Sequence, residues 1–437
     1  MPLRLPHWLV TLYKSRWTAV ILVAVLGLIG ALNHSMWRDE MNVWLIARDS
    51  PSWAAFVENI HYDRAHPGLW HLLVAAPYHL FGHPIAMQVF HWLLALGSVL
   101  LLWRYSPFSH WQKWLFTFGY LPFYEHLVIA RNYAVAMLLL FAICTLWPQR
   151  QRAYWPLAGL LVLLANSNVY GLLIAIARHL LRAICRIFGG YYVIIPNSKR
   201  YLDLTVCGAI TLGSCGLVGF RLLKKPYALG FYLLGNGIIL GFTYAKFMPN
   251  SIRHFGNFYL VLMAALWLAQ HYAPSSAITQ HMPRVERWQP AAQRWFNRTF
   301  AAILVAHLVG GVFLFTMEFF IPYSASRATA AYMRQANLQD EFIVASRDSE
   351  LASFSGYFNR PFIFPERQAM GSYTLFFKGT RREVSQPEVM QQVTQLLNQH
   401  PKILLVLTKK LETPTPELTI EPIEEFTKAW QNEEYYL

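Results

Sequence analysis

Long apolar runs separated by short polar segments fill the chain from Trp17 to Ile321, and a mixed pattern of shorter stretches follows. A run of roughly 20 apolar residues is the length that crosses a bilayer as a helix. The first, Trp17 to Leu32, comes after Arg4, Lys14 and Arg16 and continues into Asn33-His34-Ser35-Met36-Trp37. That continuation lacks the small residues of a signal cleavage site, so an uncleaved span with a cytoplasmic N-terminus is expected. Further runs cover 85–103, 114–130, 134–147, a stretch from Trp155 towards Tyr170, a return towards Arg186, and then 204–223, 227–247, 255–271 and 300–321. These are ten runs, whereas an inside N-terminus and an outside C-terminus require an odd number. About 10–11 spans are therefore expected, with Gly235-Asn236-Gly237 or Gly213 to Gly219 as the place where a helix is broken.

Two shorter patterns lie between the first and second spans. Ser50-Pro51 reads as a helix start, with Ser as N-cap and Pro in the first turn. Trp53, Phe56, Val57 and Ile60 then recur at helical spacing over about two turns, which suits a helix lying in the membrane interface. The run 67–81 contains Pro77, His71 and His79 and reads as a second interfacial or re-entrant helix. Beyond Tyr323, short apolar stretches at 342–345, 361–364, 373–377 and 402–407 predict strands, with a helix over 386–399 between them. The expected architecture is mainly α: a polytopic transmembrane helical bundle over 1–322, with a first outer loop at 34–84, and a small soluble α/β domain over 323–437.

Composition agrees with that class. The chain is 55% hydrophobic and 16% aromatic, with 14% charged residues. Its net charge of +14 is unevenly spread: residues 1–322 carry 25 Lys or Arg against 9 Asp or Glu, and 323–437 carry 12 against 14. The basic excess sits in loops between apolar runs, where it marks the cytoplasmic side, and no nucleic-acid partner is implied. Treating 67–81 as non-spanning puts Arg104, Lys113, Arg150 and Arg152 inside and Arg131 outside; treating it as a span would put both basic loops outside. Arg284, Arg287, Arg294 and Arg298 place the loop before the last run inside, and the C-terminal domain outside. Cys144, Cys185, Cys207 and Cys215 show no metal or disulfide spacing.

Charge in the membrane-like part is sparse, so its distribution matters. Five of the nine acids, Asp39, Glu40, Asp49, Glu58 and Asp63, fall within 25 residues directly after the first span. Carboxylates gathered where an apolar helix meets water form a candidate active-site loop. Asp39 and Glu40 provide a general base or a metal ligand. His66, before Pro67, can bind a phosphate oxygen, and Arg131 at the outer end of an apolar run is suited to clamp one. Arg253 and His254 open the 255–271 run at an outer boundary. Two acids, a His-Pro and basic residues on one leaflet suit an anionic lipid-linked substrate, with membrane lipids around it. The small C-terminal domain holds no Gly-rich phosphate loop, nucleophile elbow or metal-ligand cluster.

In order along the chain stand Asp39-Glu40, then His66-Pro67-Gly68-Leu69, Ala130-Arg131-Asn132-Tyr133 and Arg253-His254-Phe255-Gly256. This order resembles the GT-C membrane glycosyltransferases, and within them the protein O-mannosyltransferase and lipid A aminoarabinose transferase group. The resemblance covers 17–170 well, 250–322 loosely and 185–250 hardly at all, and Gly68 stands where a second proline is usual. It implies inverting transfer of a sugar from a polyprenyl-phosphate donor to a lipid, glycan or protein acceptor outside the cytoplasm. Asp39 or Glu40 is implied as the base. Arg131, Arg253 and His66 are implied as phosphate ligands, with or without a divalent metal (Mg or Mn) on Asp39 and Glu40. Asp63, Arg64, Tyr133 and His254 complete the expected substrate-binding set. The lack of long eukaryotic-style loops points to a bacterial plasma membrane. The competing classes are a transporter or flippase of a lipid-linked saccharide, which would place ionisable residues mid-membrane, and a non-catalytic scaffold, which would not need the acid cluster.

Overall fold

The computed structural model describes residues 6–63, 68–167, 190–192, 201–246, 252–281, 283–412, 418–431 and 433–437. The chain is mainly helical, with one small sheet. Among the described residues four helices are long and apolar enough to cross a membrane: Arg16–Asn33, Ile85–Tyr105, Thr205–Leu222 and Val285–Met317. On the first, Trp17, Ile21, Val25, Ile29 and Leu32 are exposed at nearly four-residue spacing, the stripe a lipid-facing helix presents. Membrane association follows from these helices. Shorter apolar helices cover Leu69–Phe81, Tyr133–Gln149, Tyr154–Ala165, Pro226–Gly241 and Phe255–Ala269. The expected return run towards Arg186 lies largely outside the described residues.

By its contacts the chain forms two compact units, the first comprising Met1–Gly27, Leu93–Leu127 and Tyr133–Leu314. Here the 114–130 run is not one continuous helix, as its apolar pattern had suggested. A helix over His110–Thr117 gives way to a π-helical turn at Tyr120–Glu125. Pro122 lacks the N–H that a regular helix needs, and Gly119 sits at the break. Gly311 in the helix Pro283–Met317 faces that break, leaving no room for a Cβ beside the Phe118 carbonyl and the Tyr120 amide. Conversely, neither glycine-rich segment of 213–237 breaks a helix, since Tyr201–Leu222 and Pro226–Lys246 run through them. The apolar residues around these segments, Leu212, Leu217, Val218, Leu234 and Ile238 among them, keep the helical pattern intact.

The second unit comprises Leu28–Trp92, Val128–Asn132 and Phe315–Leu437, so the first-loop segment groups with the C-terminal region. Its sheet has strands β1 (Ile343–Ser346), β2 (Phe362–Phe364), β3 (Ala369–Gly371), β4 (Leu404–Leu407), β5 (Glu425–Phe426) and β6 (Tyr435–Tyr436). They are ordered β3-β2-β1-β4-β6-β5. β1 is parallel to both β2 and β4, and all four of its residues are buried, as a central parallel strand requires. Helices Asp348–Phe358 and Gln386–Leu397 supply the crossovers. The stretch 373–377 is not the expected strand; polar side chains of the first-loop helices hold it instead, and β3 precedes it.

Three first-loop helices, Arg38–Asp49, Trp53–Tyr62 and Leu69–Phe81, belong to this unit. The middle one starts two residues later than expected. Ser52 is its N-cap, its hydroxyl accepting from the Ala55 amide at 3.2 Å, while Ser50 closes the preceding helix by donating to the Ile46 carbonyl. Its apolar stripe divides: Phe56 and Ile60 pack with Ile46, Ala47 and Ala75, whereas Trp53 and Val57 face outward. At 13 residues, or about 20 Å, the helix Leu69–Phe81 is too short to span. Gly356 brings the helix Asp348–Phe358 directly against Met41, so a C-terminal helix supports the one that carries Asp39 and Glu40.

Candidate functional site

The helix Arg38–Asp49 begins where the membrane-length helix Arg16–Asn33 has ended, and its first turn holds Asp39 and Glu40. Two acids there favour the positive end of the helix dipole. Their environments then diverge. Glu40 sits at the third helical position and accepts the Trp37 amide on Oε2 at 3.2 Å, which satisfies the N-cap amide where the helix starts. The same oxygen accepts from His34 Nε2 at 2.8 Å, and Oε1 accepts the Ala130 amide at 2.6 Å. Its side chain is 0% exposed. Glu40 therefore fastens the end of one helix, the start of the next and the 128–132 segment to one carboxylate.

His34 is the counterpart. Its Nδ1 meets Glu318 Oε1 at 2.9 Å, so two carboxylates flank one buried imidazole. Burial alone would keep the ring neutral, but the charges of Glu40 and Glu318 prevail and raise it to about 10. As an imidazolium it donates from both nitrogens. The surrounding shell is aromatic and capped: the Tyr323 ring lies edge-on at 5.1 Å, and Arg327 donates to the carbonyls of Leu32, Asn33 and His34. Gln88 Nε2 takes the Ala31 carbonyl at 2.6 Å. The backbone acceptors left over at this helix end are thereby satisfied.

Asp39 is placed differently. Its Oδ2 pairs with Arg131 Nη1, and its Oδ1 lies 4.0 Å from Arg38 Nε. The Asp39 side chain keeps 8% exposure and Arg38 keeps 25%, so this edge of the cluster reaches the surface. Both guanidiniums lie over the Trp37 indole, with centroid distances of 5.5 Å for Arg38 and 5.8 Å for Arg131. Arg38 is held from behind by Glu350 at 3.3 Å and Glu433 at 3.7 Å, and Glu433 also accepts its backbone amide. Glu433 is fully buried, and that burial pushes it up to about 7 against the pull of Arg38.

One turn along the helix, Asn42 makes the second constellation. Its amide donates to Asp63 Oδ1 at 3.0 Å and to the Thr374 carbonyl at 3.1 Å, and accepts the Thr374 amide at 2.7 Å. Asp63 Oδ2 meets His71 Nε2 at 2.9 Å, with both side chains buried. Asn59 donates to the Tyr373 hydroxyl and Phe377 donates its amide to the Tyr62 carbonyl. These bonds lay the segment 372–377 across two first-loop helices, which is why its apolar pattern does not become a strand.

The structure thus brings Asp39, Glu40, Asp63 and Arg131 together around the helix Arg38–Asp49. Arg64 and His66 lie outside the described residues. Arg253 and His254 fall in the helix Ile252–Ala269, but their side chains lie outside the described ones. Tyr133 belongs to the first unit, where it is buried and stacks on His126. Glu125, in the same unit, accepts from the Tyr120 hydroxyl at 2.7 Å. Sequence reasoning missed His34, Arg38, Asn42, His71, Glu318 and Arg327. A usable signal existed for one pair: an acid in an apolar run and a histidine ending another need each other.

As donor sets, these residues do not suit a divalent metal. Both Glu40 oxygens are taken by N–H groups, both Asp39 oxygens face guanidiniums, and among the described residues no group of three His, Cys, Asp or Glu side chains could hold a metal. Compared with protein families, curated proteins and solved structures, the chain matches none.

Proposed function

We propose that this chain is a membrane glycosyltransferase of the GT-C type, moving a sugar from a polyprenyl-phosphate donor to an acceptor on the non-cytoplasmic side. The observation that carries the reading is the Asp39–Arg131 pair, at the surface edge of a buried polar cluster and directly after a membrane-length helix. Asp39 serves as the base and Arg131 as the phosphate ligand. The acceptor hydroxyl attacks the anomeric carbon from the face opposite the phosphate, the bond from that carbon to the phosphate oxygen breaks, and the hydroxyl proton passes to Asp39. Prenyl phosphate leaves with its charge on Arg131. A phosphate-linked sugar is already activated, so positioning, a base and charge stabilisation suffice. Glu40, with both oxygens engaged, holds Arg131 in place through Ala130. The cell is bacterial, the membrane its plasma membrane, with the N-terminus inside and the C-terminal region outside.

The test uses the purified chain in nanodiscs with a panel of radiolabelled polyprenyl-phosphate sugars. Wild type consumes one donor, and Asp39→Asn stops transfer while the melting profile is kept. Consumption of no donor, or full activity in Asp39→Asn, removes the transferase reading.

One observation favours a second reading, a transporter or flippase of a lipid-linked saccharide. His307 lies buried in the candidate span Val285–Met317, with Nε2 2.9 Å from the Gly190 carbonyl, and Gly311 one turn on packs against the broken 110–125 segment. An intramembrane ionisable residue beside a discontinuous helix is what transport requires. Transbilayer movement of a fluorescent lipid-linked saccharide without its consumption selects this reading.

A further inference from the structure

Asp39 occupies a seat built for an anion. Arg131 and Arg38 approach its two oxygens from either side, and both guanidiniums rest over the one indole of Trp37. Guanidinium pairs carboxylate and phosphate oxygens with the same planar geometry. The Nε of Arg38 is buried and makes no hydrogen bond: it lies 3.7 Å from Glu433 Oε1 and 4.0 Å from Asp39 Oδ1, so this donor is paired by charge alone. Contacts other than Asp39 hold both arginines: Glu350 and Glu433 pair with Arg38, and Arg131 lies over the indole next to Ala130, whose amide is bonded to Glu40. The seat therefore persists when the carboxylate leaves it.

We propose that Asp39 is a placeholder: the phosphate of a prenyl-phosphate lipid takes Arg131 and Arg38 from it, and that exchange frees the carboxylate to act as a base. A carboxylate oxygen paired with a guanidinium is a poorer proton acceptor than one freed from it, because the cation stabilises the negative charge that a proton would neutralise. Substrate binding thus strengthens the base, which the Arg131 pair holds weak until then. Arg38, absent from the expected site, becomes a second phosphate ligand. The role of the released base rests on the transferase reading; the anion exchange does not.

The experiment measures binding of geranylgeranyl phosphate to the full chain in detergent by calorimetry, with inorganic phosphate and phosphatidylglycerol as separate arms. Asp39→Asn removes the internal competitor and tightens geranylgeranyl phosphate by about tenfold. Arg38→Gln and Arg131→Gln each weaken it by about tenfold or more. Lys402→Gln, an exposed charge change on the sheet region, leaves it unchanged. Inorganic phosphate follows the same rank order more weakly. Equal or weaker binding by Asp39→Asn overturns the placeholder, and unchanged binding by Arg38→Gln overturns the second ligand. Should Asp39→Asn not fold, Asp39→Ser carries the same expectation. Phosphatidylglycerol displacing the probe equally well overturns the prenyl-phosphate assignment. If the binding series holds while no sugar donor is consumed, the exchange stands and the transferase reading fails. If a donor is consumed and Asp39→Asn does not tighten the probe, the reverse applies.

Discussion

His34 and Glu40 meet through Nε2 and Oε2 at 2.8 Å, with both side chains fully buried. The pair sits six residues apart in sequence, and Glu318 closes the other side of the ring from 284 residues away. Glu40→Gln keeps the shape and removes the charge. It leaves the imidazolium with one carboxylate and turns an amide nitrogen towards one of the N–H groups that Glu40 accepts. Breaking one partner of a buried pair costs about 3–5 kcal/mol. The variant is expected to melt well below wild type in detergent and to lose protection of the Ala130 amide in hydrogen exchange. An unchanged melt would mean that this network carries little of the fold.

The same ring sets a pH dependence. His34 is raised from its ordinary 6.5 to about 10 in the folded state, so folding takes up a proton between those values. Its contribution is fully present below pH 6.5, declines as pH rises and is gone above about 10. Glu433, raised from 4.5 to about 7 by burial, adds a fall of the same sign at lower pH, between 4.5 and 7. Melting temperature should therefore drop steadily from pH 6.5 to 10, and His34→Gln should flatten that slope. A slope of equal steepness in His34→Gln would assign the alkaline loss to other groups.

Much of this architecture is legible because apolar length and short strands are local properties. The helices Arg16–Asn33 and Ile85–Tyr105 and the strands β1, β2 and β4 lie close to where the runs predict them. The break at Gly119 is less legible, since Pro122 within an apolar run reads equally well as a kinked span. β5 and β6, at two residues each, are too short to show alternation. At the site, Asp39 and Glu40 look interchangeable in sequence. Only the partners separate them, and those partners, Arg131 and Ala130, arrive from 90 or more residues away. Arg38 is less legible, since its role depends on Glu350 and Glu433, which lie more than 300 residues further along the chain.

Arg327 offers a test of how the end of the first membrane-length helix is held. Its guanidinium reaches the carbonyls of Leu32 at 3.3 Å and Asn33 at 3.1 Å, as well as that of His34. A cation at a helix C-terminus satisfies acceptors that have no partner within the helix. Arg327→Gln is expected to cost about 1–3 kcal/mol. Faster amide exchange should follow over 33–37, with the sheet strands unaffected. Uniform exchange changes across the unit would point instead to global destabilisation.

Asn42 carries the most specific prediction, because its amide uses donor and acceptor at once. Oδ1 accepts the Thr374 amide, while Nδ2 donates to both the Thr374 carbonyl and Asp63 Oδ1. Asn42→Asp keeps volume and the first bond but sets a carboxylate oxygen against two acceptors with no donor between them. The penalty is roughly 2–4 kcal/mol at neutral pH. A proton on the introduced carboxyl restores a donor, so folding favours its protonated form and stability returns as pH falls. Asn42→Leu loses all three bonds, yet has no proton to regain, and its deficit should not depend on this titration. Melting curves of the two variants at pH 5 and pH 7.5 separate the cases. Recovery of Asn42→Asp alone at pH 5 shows that the 372–377 segment is held by donor–acceptor matching, and parallel curves for both variants show that it is held by packing.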